Sequence, residues 1–150
     1  MTTKQTPTTS KNSFSFDTED VILTPGRYLV VDPCYVVPNE MWSDFCGASF
    51  VNHAATRASF DGISFFCQGT AHGDGCFVLK CGNKTVGECG VDAGLLSIIP
   101  ETLIQLWNSE KNYDGMWPNM GGVWVEIKEN TPVHYGDGNF SFGAFRMKTD

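Results

Sequence analysis

Glycine beside aspartate or asparagine cuts this chain into short pieces, at Asp61-Gly62, Gly73-Asp74-Gly75, Gly82-Asn83 and Gly136-Asp137-Gly138. Gly reaches positive φ without steric cost and Asp or Asn bonds its own backbone, so each pair marks a tight turn. Between the turns lie runs such as Ile63-Ser64-Phe65-Phe66-Cys67, Cys76-Phe77-Val78-Leu79 and Thr85 to Cys89. β-Branched and aromatic runs bounded in this way read as strands. The long helices of a doubly wound fold have no room here. The expected fold is α+β and mostly β, an antiparallel β-sandwich or barrel-like sheet with two short helices.

Other segments fit that expectation. Ser13 to Phe16 alternates polar and aromatic residues with the period of a half-buried strand. After the short apolar piece Val21-Ile22-Leu23 and the Pro25-Gly26 turn, Arg27 to Asp32 reads as a buried strand that Pro33 ends, because proline cannot donate to a ladder. Leu95 to Ile99 reads as a central strand, and Val123 to Lys128 and Asn139 to Met147 as two closing ones. The first helix is expected from Pro38 or Asn39, with Met41, Trp42, Phe45 and Cys46 facing inward and Gly47 stopping it. Strands are expected from Phe50 onward. The second helix begins at Pro100 and covers Glu101 to Trp107, with Glu101 placed well for the helix dipole. Residues 1–12, polar and Thr-rich, read as a flexible leader before a single globular β-rich domain over 13–150.

Charge and cysteine usage narrow the partners. The formal net charge is −7, and with Lys4 and Lys11 of the leader set aside, 17 acids face 8 bases, a balance of −9. A body of that sign repels nucleic-acid phosphates, so no nucleic acid is expected as partner; a cationic group or basic protein surface is favoured instead. Six cysteines invite a disulfide framework, but the N-terminus shows no secretory h-region and a chain of 150 residues needs no staples, so buried free thiols and a cytoplasmic setting are expected. No stretch approaches the roughly 20 apolar residues that span a bilayer, and no membrane partner is expected.

Asp32, Asp74 and Asp92 are the leading site candidates, since each sits at an expected strand edge. Carboxylates converging at one rim would hold Mg2+ or Ca2+, or divide into acid and base if burial parts their pKa values. The plain structural reading is that they cap turns and strand ends. No cofactor is expected beyond that metal alternative. Tyr35, Trp42 and Trp117 are binding candidates, because aromatics beside the Asp32-Pro33 break and in the Asn108–Gly122 loop would line a mouth; the alternative is that Trp117 plugs the core. Cys34 with a histidine base is a weaker nucleophile candidate, since cysteines are usually buried. Cys-x-x-Cys and His-x-x-x-His pairs, a P-loop or dinucleotide glycine fingerprint and Gly-x-Ser-x-Gly are missing from the sequence, and His72, Cys76 and Cys81 are only loosely spaced for zinc. His72-Gly73-Asp74-Gly75 also echoes His134-Tyr135-Gly136-Asp137-Gly138, either as two ordinary turns or as a duplicated unit placing two carboxylates at one sheet end.

At Val30-Val31-Asp32-Pro33-Cys34-Tyr35, Gly73-Asp74-Gly75 and Val91-Asp92-Ala93-Gly94 the chain resembles small proteins carried by tailed bacteriophages and some bacteria, over residues 27–100. That resemblance implies an accessory protein in the host cytoplasm; the group offers no catalytic residue to carry over. The reading that follows is a non-catalytic binding module, a phage accessory protein that captures a small ligand or occludes a host protein. Two others stand beside it: a small metal-assisted hydrolase using Asp carboxylates at a sheet rim, and a structural or assembly protein forming a homo-oligomer.

Overall fold

The structure is a computed structural model that describes residues 14–51, 54–111 and 122–150. The leader and Trp117 lie outside the described residues. The chain runs through β1 (Phe14–Asp17), β2 (Ile22–Leu23), β3 (Gly26–Val31), a 3-10 turn (Pro33–Tyr35), α1 (Asn39–Val51), β4 (Arg57–Phe60), β5 (Ile63–Gly69) and β6 (Gly75–Cys81). It continues through β7 (Lys84–Val91), β8 (Leu95–Pro100), α2 (Glu101–Lys111), β9 (Val123–Ile127), β10 (Thr131–Gly136), β11 (Asn139–Phe142) and β12 (Phe145–Met147). Two six-stranded sheets result, ordered β1-β4-β5-β8-β3-β9 and β2-β10-β11-β12-β6-β7. Neighbours in both are antiparallel. The expected mostly-β sandwich with two helices is what forms.

The first sheet is the middle of three layers. On β3, Leu29 and Val31 join a core with Met41 and Phe45 of α1 and Leu103 and Trp107 of α2. Tyr28 and Val30, the alternate residues, join a second core with Phe77, Leu79 and Phe140 of the other sheet. The same division separates Phe65 from Phe66 and Ile99 from Ile98. A sheet covered on both faces needs apolar residues at every position, which is why Leu29-Val30-Val31 carries no polar alternation. Among the described residues the second sheet is covered on one face only, and it alternates accordingly: on β6, Phe77 and Leu79 are buried while Cys76, Val78 and Lys80 are exposed. Trp107 fills the helix-side core with its ring edge-on to Phe60 and Phe65. Its Nε1–H has no acceptor among the described residues.

Several boundaries differ from the sequence expectation. Gly47 does not stop α1, which runs on to Val51 and takes in Phe50. A Cβ at Gly47 would meet nothing within 4 Å, so this exposed turn asks for no side chain, and the half-buried Cys46 and Ala48 keep the helix docked past it. Asn139 to Met147 is two strands rather than one, because Gly143 turns at φ 61 and folds Phe145 back opposite Phe142. β10 was not expected, since Pro132 argues against a strand and only its alternate residues Thr131 and Val133 are half-buried. The Asp-Gly turns hold as two-residue hairpin turns at Asp61-Gly62 and Asp137-Gly138, with positive φ at both positions. Gly73-Asp74-Gly75 is different: it is a loop entering β6, so the two echoing segments are not structural copies.

Candidate functional site

The rim where β3 ends and β7 passes into β8 gathers the chemistry-bearing residues. Asp32 follows β3 and is fully buried. Proline at the next position starts a 3-10 turn, and the Asp32 carboxylate caps it: Oδ1 accepts the Cys34 N–H at 2.8 Å. Oδ2 accepts the N–H groups of Asp92 at 2.9 Å and Ala93 at 2.7 Å. Three of the roughly four acceptor positions of the carboxylate are therefore filled by backbone. A buried carboxylate needs such partners, and here they tie the end of β3 to a loop sixty residues further along.

Asp92 itself is exposed, and its Oδ2 accepts the Tyr35 O–H. That bond, with the negative charge behind it, pushes the Tyr35 phenol well above its ordinary value. The Cys34 thiol, half-buried between the two carboxylates, is pushed up to about 12, first by burial and then by the charges of Asp32 and Asp92. A thiol so held is protonated near neutrality, the opposite of an activated nucleophile. Among the histidines, His72 packs edge-on against Phe77, and His134 stands exposed on the far sheet.

Asp74 joins this rim from the second sheet. The β6–β7 ladder ends at Gly75 opposite Val91, so Asp74 and Asp92 are the next residues on the two paired chains. Asp74 is exposed, and its Oδ1 lies 3.9 Å from where a Cβ on Gly94 would sit. The Thr70 N–H donates to the Gly94 carbonyl at 3.0 Å, fixing the neighbouring loop. Among the described residues, no group of three His, Cys, Asp or Glu side chains is arranged to hold a metal ion. Trp42 is stacked on Phe45 with ring centroids 5.1 Å apart and partly buried against the helix-side core. The structure thus brings Asp32, Cys34, Tyr35 and Asp92 together, sets Asp74 beside their loop, and gives Trp42 a packing role.

A second knot, not legible as a site in the sequence, lies where the echoing segments meet. Thr149 is fully buried; its Oγ1 donates to the Gly138 carbonyl and accepts the Ala71 N–H at 3.0 Å, while its own carbonyl accepts the His72 N–H at 2.8 Å. Only the alternation Met147-Lys148-Thr149 hints at an inward Thr. All six cysteines are free thiols. No helix among the described residues is long and apolar enough to cross a membrane. No known protein family matches the chain, and neither a curated protein nor a solved structure does so.

Proposed function

We propose that the chain is a non-catalytic binding module that presents the Asp74–Asp92 rim to a cationic group on a partner protein. The observation behind this reading is the coordination of Asp32, whose acceptors are taken up in holding the Asp92-Ala93 loop rather than left for a metal or a proton. The result is a fixed loop carrying the exposed Asp92, with the exposed Asp74 beside it, and a preorganised loop binds with little ordering cost. The resemblance of residues 27–100 to phage-carried proteins supports a bacterial host protein as that partner. The test is calorimetric titration with a penta-arginine peptide at low salt. Asp74→Asn/Asp92→Asn should weaken binding by roughly tenfold, about two exposed ion pairs, while the thermal midpoint stays put. Equal affinity in wild type and variant would remove the rim from the reading. Titration with Mg2+, Mn2+ and Ca2+ decides the hydrolase alternative: saturable binding lost in Asp92→Asn would revive it.

A small-ligand version of the same reading has its own support. A half-open cleft of about 520 Å³ lies between the sheets, lined by Asp20, Thr24, Tyr28, Arg57, Ser64 and Thr102 among others. That volume suits a small molecule.

A further inference from the structure

The outward face of the second sheet concentrates positive charge on an acidic molecule. Of the ten Lys and Arg residues in the chain, Lys80, Arg146 and Lys148 stand exposed on this face. Arg27 and Arg57 are engaged elsewhere, with Glu101 and Asp17. Among the described residues these three cations form no ion pair, and Arg146 makes one long hydrogen bond, donating to Asn83 Oδ1 at 3.4 Å. Register sets Arg146 directly opposite Lys80, Ser141 opposite Arg146, and His134 opposite Ser141, so one row crosses β10, β11, β12 and β6. Like charges directly opposed destabilise a sheet, so the charges of the Arg146–Lys80 pair work against folding.

Two clefts open along this row. One, of about 380 Å³, is lined by Cys76, Phe77, Val78, Lys80, Arg146 and Lys148. The other, of about 510 Å³, includes His134, Asn139, Ser141, Arg146 and Lys148. They share Arg146 and Lys148, and neither lining contains an acid. Glu88, opposite Val78 on β7, and the exposed Asp150 bound the patch.

We propose that this face docks an acidic, extended segment of a partner polypeptide. Four strands spaced ~4.8 Å apart make a row ~14 Å long, which an extended chain at ~3.3 Å per residue covers with about four or five residues. Arg146 supplies a fork that matches a carboxylate bidentately, and Lys80 and Lys148 supply point charges on either side. Val78, 36% exposed between them, adds an apolar contact. Charge complementarity favours a short acidic segment over a nucleic acid. Among the described residues the outward row holds no Phe, Tyr or Trp for bases to stack on, and the Tyr135 ring beside it packs on Phe66 and Phe140. The surrounding acidic surface also repels a long polyanion.

Fluorescence anisotropy with a labelled Glu/Asp heptapeptide tests this. Binding is expected at 50 mM salt and should weaken at 300 mM, where screening is stronger. Lys80→Ala/Arg146→Ala/Lys148→Ala should lose roughly tenfold or more in affinity, taking about two- to fivefold per exposed pair. Lys128→Ala, a cation outside the face, should bind as wild type, and a matching thermal midpoint shows the triple variant folded. The proposal is overturned if the peptide does not bind at 50 mM salt, or if the triple variant binds it equally well. Preference for a ten-nucleotide oligo-dT over the peptide overturns it in favour of nucleic acid. Concentration-dependent self-association in light scattering, lost in the triple variant, overturns it in favour of a second copy of this chain.

Discussion

Asp32 takes a carboxyl group into the fully buried interior, and its backbone partners make that tolerable. Removing the acceptor strands three N–H groups at once, on Cys34, Asp92 and Ala93. Asp32→Ala should therefore lower unfolding free energy by about 2–4 kcal/mol, read from urea titration. Asp32→Asn should recover only part, because its amide turns a donor toward donors; a variant within about 0.5 kcal/mol of wild type would show that water replaces the carboxylate. The sequence singles out Asp32 because no hairpin turn explains it. It could not reveal the partners, since backbone N–H groups carry no residue signature and these lie sixty residues away. At the same scale the thiols separate by environment. Cys76 is exposed, Cys67 and Cys89 are buried, burial pushes Cys67 well above the ordinary thiol value and Cys89 up to about 12, and Cys34 stands at about 12. Raised values mean little thiolate at pH 8, so iodoacetamide should label native Cys76 first and Cys34, Cys67 and Cys89 only slowly. Peptide mass spectrometry in time course reads the order; early labelling of Cys67 would contradict the packed core.

Between elements, the decisive contacts are close approaches of backbone. Gly138 sits at φ 81 in the β10–β11 turn, and a Cβ there would land on Ala71 and lie 2.9 Å from Thr149 Oγ1. Gly138→Ala should cost about 2–4 kcal/mol through strain and displacement together, seen as a lower urea midpoint, whereas Gly62→Ala, whose Cβ meets nothing within 4 Å, should cost less. Equal losses would mean that the conformation alone matters. Turn chemistry made both glycines visible in the sequence, but not that one of them is also a docking point. β10 escaped because a strand with Pro132 and a half-exposed face leaves a weak period-two signal. The opposed cations Arg146 and Lys80 are likewise hidden, because cross-strand register is a tertiary fact. Lys80→Thr should remove their repulsion and raise the thermal midpoint by about 1–3 °C; a fall would show that the lysine stem contributes packing there.

Across the whole molecule, the three-layer order follows from which strands read as unbroken apolar runs. Arg27 to Asp32 and Leu95 to Ile99 are legible as buried because both faces of their sheet are covered. The sheet to which each remaining strand belongs is not legible, since the pairs β2–β10 and β12–β6 of the second sheet, and all but β4–β5 in the first, join strands distant in sequence. That arrangement has a consequence in time. β12 lies between β11 and β6, and the buried Thr149 latches the loop before β6 to the β10–β11 turn. As the chain is made from its N-terminus, the β6–β7 ribbon emerges first and waits, one edge bare, until residues 145–149 arrive to seal it. Closure over such distances belongs to the millisecond-to-second range, and a bare edge held open that long is where half-made chains adhere to one another.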